Sequence, residues 1–470
     1  MSFIVYDLVL LGLFVLAIAL FLYRKRHNLK KEGLLYLYRT SWGIKLINKI
    51  GKKYTKTLKV LSYVSVGLGY LLTIGVLWLI YNIMEIYFLH PEVVSQIKVP
   101  PIMPLIPYID KVVPFLPPFY FTYWIVILAI VAISHEFAHG IFAAHNKVKI
   151  KKTGFGFFPF FAPVFLAAFV ELDEKKMVKK KNFAQRAILA AGTFANIVTS
   201  LVFLIVLWLF FISAFHPAGV VFDDYSYNVV SVATITMINN VSLSSPTMDE
   251  ITPILKNATF NEISVGEAKY AGVKGFSNDK EQVALYDDAP AIKNQINGAI
   301  LEIDGEKVTN SEELGAAIQK HEVGEEVIVK VKLKEDIKEQ KIILGENPQK
   351  KGSPWLGVGF SNPQGRSVTS KIFAAMSSFK KPNVYYEPLL GEFSWFIYYL
   401  LWWLILISVS VALVNMLPMG IFDGGRFFYL TILSVTGSEK IALNSFKWAT
   451  KLFLAILVAL MAFWAWGLLT

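Results

Sequence analysis

The sequence predicts a polytopic α-helical membrane protein of about six transmembrane helices with one water-soluble insert, and three observations predict it. Of 470 residues, 55% are apolar and only 17% charged, against roughly 25% charged in an ordinary soluble chain. Five apolar segments reach the ~20 residues that cross a bilayer as a helix, at residues 3–23, 60–88, 120–144, 187–211 and 393–417, and a sixth closes the chain at 448–469. The net charge of +11 sits beside these segments, which marks membrane orientation and a lipid bilayer as partner rather than nucleic acid.

The first segment reads as a retained anchor and not a cleaved signal peptide, because it has no basic residue before it and ends in Arg24-Lys25-Arg26 instead of a small-residue cleavage site. Charge then sets orientation, since short cytosolic loops accumulate Lys and Arg. Residues 24–59 carry twelve basic residues against one acidic, and residues 145–186 carry ten against three. Both are expected in the cytosol. Residues 91–119 hold two of each sign and eight prolines, which suits an outer loop lying along the membrane surface. Residues 216–391 alternate in hydropathy between turn signals, as in Glu326-Val-Ile-Val-Lys-Val-Lys-Leu333, and read as an α/β insert outside the cell.

The stretch from Gly154 to Val170 is apolar enough for lipid but contains seven Phe, two Gly and two Pro. It admits a seventh helix or a re-entrant β-hairpin. Aromatic strand formers broken by Gly and Pro favour the hairpin, which survives at membrane depth when protein shields it.

With no cysteine in the chain, thiolate chemistry, disulfides and cysteine-held metals are excluded, so any metal rests on His and carboxylates. Within the third span stands Ser134-His135-Glu136-Phe137-Ala138-His139-Gly140. Histidines four apart share one helix face and can aim both imidazoles at one cation. Zinc lowers the pKa of water it binds to about 7, and Glu136, between them, is placed to take that proton as general base. Three ionisable side chains in an apolar span each cost about 2.5–3.5 kcal/mol at mid-membrane if charged, so they need a buried purpose, and a metal site supplies one.

A catalytic zinc takes three protein ligands and keeps the fourth position for water. The other histidines, His27, His90, His145, His216 and His321, lie in loops, at span ends or in the insert, so the third ligand is expected to be a carboxylate. Asp423, in Asn415-Met-Leu-Pro-Met-Gly-Ile-Phe-Asp423-Gly-Gly-Arg426, is the candidate, read against a plain Asp-Gly turn with a solvated carboxylate. Topology agrees: His139 lies roughly 12 Å along a helix from the cytosolic boundary, and Asp423 reaches the same side only if residues 154–170 do not cross.

Together these residues resemble the site-2 proteases, intramembrane zinc metalloproteases of peptidase family M50: HEFAH in one transmembrane helix, Asn415-x-x-Pro-x-x-x-x-Asp423-Gly-Gly-Arg in a later one, and an insert between. The resemblance covers roughly residues 120–211 and 298–430. It implies one zinc (Zn2+) per chain held by His135, His139 and Asp423, with Glu136 as the catalytic base. Gly192-Thr-Phe-Ala-Asn196 is similar to the family's Gly-Pro-x-x-Asn element with Thr193 in place of Pro. By that likeness Asn196 and Asn415 offer amides that orient substrate or stabilise an oxyanion, although each amide is equally readable as a bond between helices. The Phe-rich stretch resembles the family's membrane-embedded hairpin, whose edge takes an unwound substrate as an added strand.

Residues from Ala289 through Gly298, Gly305 and Val308 to the strand at Glu326 resemble a bacterial-type PDZ domain, at about 285–360. Such a domain binds extended peptide ends by strand addition.

The expected organisation is thus an N-terminal helix and basic loop (1–59), a second helix with the Pro-rich loop (60–119), a catalytic membrane core in two parts (120–215 and 392–430) around the extracytoplasmic PDZ-like insert (216–391), and a last helix (431–470). The expected function is intramembrane cleavage of single-span membrane proteins or remnant signal peptides. The expected site is an integral, multi-pass position in a prokaryotic plasma membrane, the active centre toward the cytosol. Two competing readings are a membrane HExxH peptidase whose third ligand is a later Glu, and a catalytically silent scaffold or chaperone that binds peptide tails through the insert.

Overall fold

A computed structural model describes residues 3–32, 35–90, 94, 100, 101, 103, 105–113, 116–157, 166–255, 260–277, 281–334, 336–360 and 379–467. The chain forms two compact units, residues 1–209 with 396–470, and residues 210–395.

Among the described residues, six helices are long and apolar enough to cross a membrane: α1 (Phe3–Lys25), α3 (Thr55–Leu89), α4 (Phe121–His145), α5 (Asn182–Ala214), α7 (Glu392–Asn415) and α9 (Glu439–Gly467). The shorter α2 (Ile44–Lys53) and α8 (Asp423–Thr436) lie between them in sequence, and α6 (Ser311–Ile318) belongs to the insert. Several boundaries differ from the hydropathy reading: α3 and α5 each begin five residues earlier, at Thr55 and Asn182. The fifth span stops at Asn415, and the sixth begins nine residues before 448, because Gly437, at φ +65°, ends α8 and a new helix starts at once with a polar turn that an apolar window does not register.

The basic loop after α1 is partly strand. β1 (Leu29–Glu32) and β2 (Leu35–Thr40) pair antiparallel, and β2 also pairs with β3 (Ile150–Phe157), which pairs with β4 (Leu166–Leu172). The result is one four-stranded sheet in the order β1-β2-β3-β4. Ile150 stands opposite Leu172. The described residues of the Phe-rich stretch are strand and not helix; residues 158–165 lie outside the described residues.

Among the described residues, the membrane helices share several apolar cores, of which two frame the site. One joins Ala138, Phe142 and Ala143 of α4 to residues 187–191 of α5, Met416, and Phe427 and Leu430 of α8. The other is aromatic, with Phe121, Tyr123 and Trp124 of α4 against Trp403 and Ile407 of α7.

Asp7, in the first span, escaped the sequence reading and has a specific structural role. Its side chain is 1% exposed and accepts four hydrogen bonds, from the Phe121 and Thr122 amides (2.6 and 2.9 Å), the Thr122 hydroxyl (2.5 Å) and the Tyr108 hydroxyl (2.8 Å). The first amides of a helix have no partner within it, and here a carboxyl from a neighbouring helix caps them. One residue thereby ties α1, the Pro-rich loop and the start of the HExxH helix together.

Residues 210–395 contain two larger sheets. β5 (Phe215–Val221) lies between β12 (Ala299–Ile303) and β15 (Val384–Pro388), and β12 continues to β13 (Glu326–Leu333) and β14 (Asp336–Ile343). α6 is capped by Asn310, and its Leu314, Ala317 and Ile318 join Ile300, Val327 and Val329 in one core. A second sheet runs β6-β11-β10-β9-β7-β8, built from Tyr227–Ser231, Gln282–Asp287, Ala268–Phe276, Ile263–Val265, Met237–Ile238 and Val241–Ser242. It has its own core around Ile235, Ile238, Ile263 and Val283.

Asp7→Ala is expected to cost about 1–2 kcal/mol, the usual loss for a helix cap, and to speed hydrogen exchange at the amides of 121 and 122. Asp7→Asn, which keeps an acceptor oxygen, is expected to fall between. Unchanged exchange at those amides in Asp7→Ala would contradict the capping role.

Candidate metal centre

His135 and His139 lie one turn apart on the face of α4 that meets α5, both 8% exposed. Their Nε2 atoms are 3.0 Å apart. Asp423 Oδ2 approaches them at 3.3 and 3.1 Å, so three donor atoms converge from residues 284 positions apart in sequence. Ligands bound tetrahedrally at about 2.0–2.1 Å stand about 3.3 Å from one another. The observed separations are close to that value.

What lies behind the imidazoles also fits. His139 Nδ1 is 2.7 Å from the Ile188 carbonyl oxygen, so Nδ1 carries the proton and donates, leaving the Nε2 lone pair toward the cluster. His135 Nδ1 is 3.1 Å from the amide nitrogen of Asn196, which is fully buried, and the Asn196 Oδ1 has no hydrogen-bond partner. Turning that amide over, at almost no change in shape, places Oδ1 on Nδ1–H. That single rotation satisfies the orphaned oxygen and gives His135 the same ligating tautomer as His139. Ile188, Gly192 and Asn196 are spaced by four along α5, and therefore form one stripe facing the histidines.

Gly192 is required by closeness. A Cβ there would stand 2.4 Å from His139 Nε2 and 2.5 Å from His135 Nε2. Around Asp423 the same logic explains the Gly424-Gly425 pair, whose Cβ atoms would meet the backbone of Met416 and Met419 at 2.3 and 2.1 Å. The chain from Met416 to Phe422 folds back tightly on the first turn of α8, and Asp423 opens that helix where the helix dipole favours a carboxylate. Asp423 thus begins a separate helix and does not end the fifth span.

Glu136 is half-buried, and its Oε2 accepts the Val170 amide of β4 at 2.8 Å. Asn415 is the last residue of α7 and makes no hydrogen bond to the histidines or Asp423. Asn196, expected to serve substrate, contacts His135 here.

A family model for peptidase family M50 matches residues 123–460, which contain all of these side chains. The chain belongs to peptidase family M50. This is the site-2 protease family, whose members are zinc metalloproteases. An uncharacterized protein of Methanocaldococcus jannaschii is 31% identical over 195 residues, 40% of this chain and 48% of that protein. The chain therefore spans about half the length of the curated relative it matches. Among solved structures, the PDZ domain of an SdrC-like protein from Listeria monocytogenes is similar at 29% identity over 15% of this chain and 75% of that one, with a TM-score of 0.14.

If His135, His139 and Asp423 hold zinc, Asn196→Ala is expected to weaken its binding about 10–100-fold, the usual effect of removing an outer partner of a ligating histidine, as read by chelator competition. Affinity equal to that of the unaltered protein would remove Asn196 from the support of His135.

Proposed function

We propose that this chain is an intramembrane zinc metalloprotease that hydrolyses peptide bonds in or near transmembrane segments of membrane proteins or remnant signal peptides. The observation that carries the reading is the approach of His135, His139 and Asp423 Oδ2 to within hydrogen-bonding distance of one another, beside Glu136, in a bundle of apolar helices. His135, His139 and Asp423 are the residues that would hold one zinc. Bound there, zinc would supply Lewis acidity toward the scissile carbonyl and bring the pKa of water to about 7.

The chain's own residues do the rest. Glu136 accepts a proton from the attacking water as its oxygen bonds to the carbonyl carbon, and returns that proton to the amine nitrogen as the C–N bond breaks. Asn196 and the Ile188 carbonyl hold the imidazoles by their far nitrogens. Asn415, at the end of α7, is assigned to the substrate backbone, as its motif suggests. A substrate helix must unwind before cleavage because its carbonyls are otherwise engaged within the helix. The β3–β4 pair, read as a re-entrant hairpin, offers an unwound segment a sheet edge.

The orientation follows from charge. The basic loops 24–59 and 145–186 face the cytosol, which puts the metal centre toward that side and residues 216–391 outside, in a prokaryotic plasma membrane. The insert contains a PDZ-like domain at about 285–360, a reading supported by its sequence pattern and by the packing of α6 on β12 and β13. It screens substrate ends before they reach the membrane core.

Glu136→Gln keeps the shape of the side chain and removes the base. In vesicles with a membrane-spanning peptide substrate it is expected to abolish cleavage while retaining zinc. Cleavage that persists in Glu136→Gln would refute the mechanism.

A further inference from the structure

Beside Glu136, on the side of β4, is a small pocket that no part of the mechanism above uses. It lies between α4 and one face of the β2-β3-β4 sheet, and Glu136 forms part of its wall. Phe137 and Trp42, which stand edge to face at 5.7 Å, line it together with Phe155, Ala168 and Phe169. The two hydroxyls that border it are already engaged. Thr153 Oγ1 donates to the Trp42 carbonyl at 2.6 Å, and Thr40 Oγ1 lies 3.2 Å from Thr153 Oγ1 and accepts the Trp42 amide at 3.2 Å. The Val170 amide is taken by Glu136 itself. Apart from Glu136, the walls offer a guest no unsatisfied polar side chain, so they suit an apolar group.

Position decides which apolar group. In the proposed reaction Glu136 must reach the amine nitrogen to return its proton, and that nitrogen belongs to the residue following the cleaved bond. The side chain of that residue leaves the backbone one bond from the nitrogen, next to Glu136.

Resting on the protease reading, we infer that this pocket receives the apolar side chain on the amine side of the scissile bond, and that Trp42 and Ala168 set the size it accepts. The β1–β2 hairpin is then part of the substrate site. By pairing with β3 it covers the sheet edge remote from α4 and carries Thr40 and Trp42 to the pocket.

The test uses the full chain in vesicles with synthetic membrane-spanning peptides whose central positions are randomised, and the cut bonds are mapped by mass spectrometry. The unaltered protein is expected to place aliphatic residues after the cut. Trp42→Ala is expected to raise the ratio of Phe to Leu at that position about tenfold or more, and Ala168→Leu to shift it toward Ala and Gly, with zinc content unchanged in both. An amine-side preference identical in all three proteins would overturn the inference. A readout independent of cleavage uses Glu136→Gln with peptides carrying photo-leucine at each central position in turn. Crosslinks to Trp42, Phe155 or Ala168 support the pocket, and crosslinks confined to other segments overturn it. A wild type that cuts no peptide counts against the protease reading itself, and the crosslinks then judge the pocket separately.

Discussion

Two imidazoles and a carboxylate held within hydrogen-bonding distance inside an apolar bundle are the constraint from which the rest of this fold follows. Each group is costly among hydrocarbon side chains and has to be compensated by the others or by a cation they share. Their approach needs space that only Gly192 leaves, and a carboxylate delivered by a chain folded so tightly that two glycines follow it. The imidazoles need fixed tautomers, which the Ile188 carbonyl and Asn196 provide from a single stripe of α5. The helix bearing the histidines needs a settled start, which Asp7 gives from another helix.

Much of this was legible in the sequence because it is written in spacing. His135 and His139 at four residues and the long apolar segments each follow from local geometry or from partition into lipid. Asp423 was legible as the acidic residue after a long uncharged span, although its place at the start of α8 was not, since hydropathy registers the end of an apolar run and not the turn that follows. Asp7 was missed because one carboxyl in a terminal span has no periodic partner; its partners lie more than a hundred residues away. Its burial cost, applied as strictly as it was to Glu136, was the available signal.

The sheet shows the same limit. Gly and Phe in 154–170 pointed to strands, and β3 and β4 are strands. The pairing of β2 with β3 joins residues more than a hundred positions apart, and the basic loop that contributes it reads from charge alone as an orientation signal. Leu35-Tyr-Leu-Tyr38 is rich enough in aromatic and aliphatic residues to have suggested a strand, had charge not dominated the reading. In the insert, one PDZ-like signature drew attention to a single domain, while residues 227–287 form a sheet with a separate core.

The central claim is that two distant motifs make one zinc site, and metal content tests it most directly. Elemental mass spectrometry of the detergent-purified protein beside Asp423→Ala and His139→Ala should find close to one zinc per chain in the unaltered protein and little in either variant. Full zinc retained without Asp423, or none in the unaltered protein, would contradict the account.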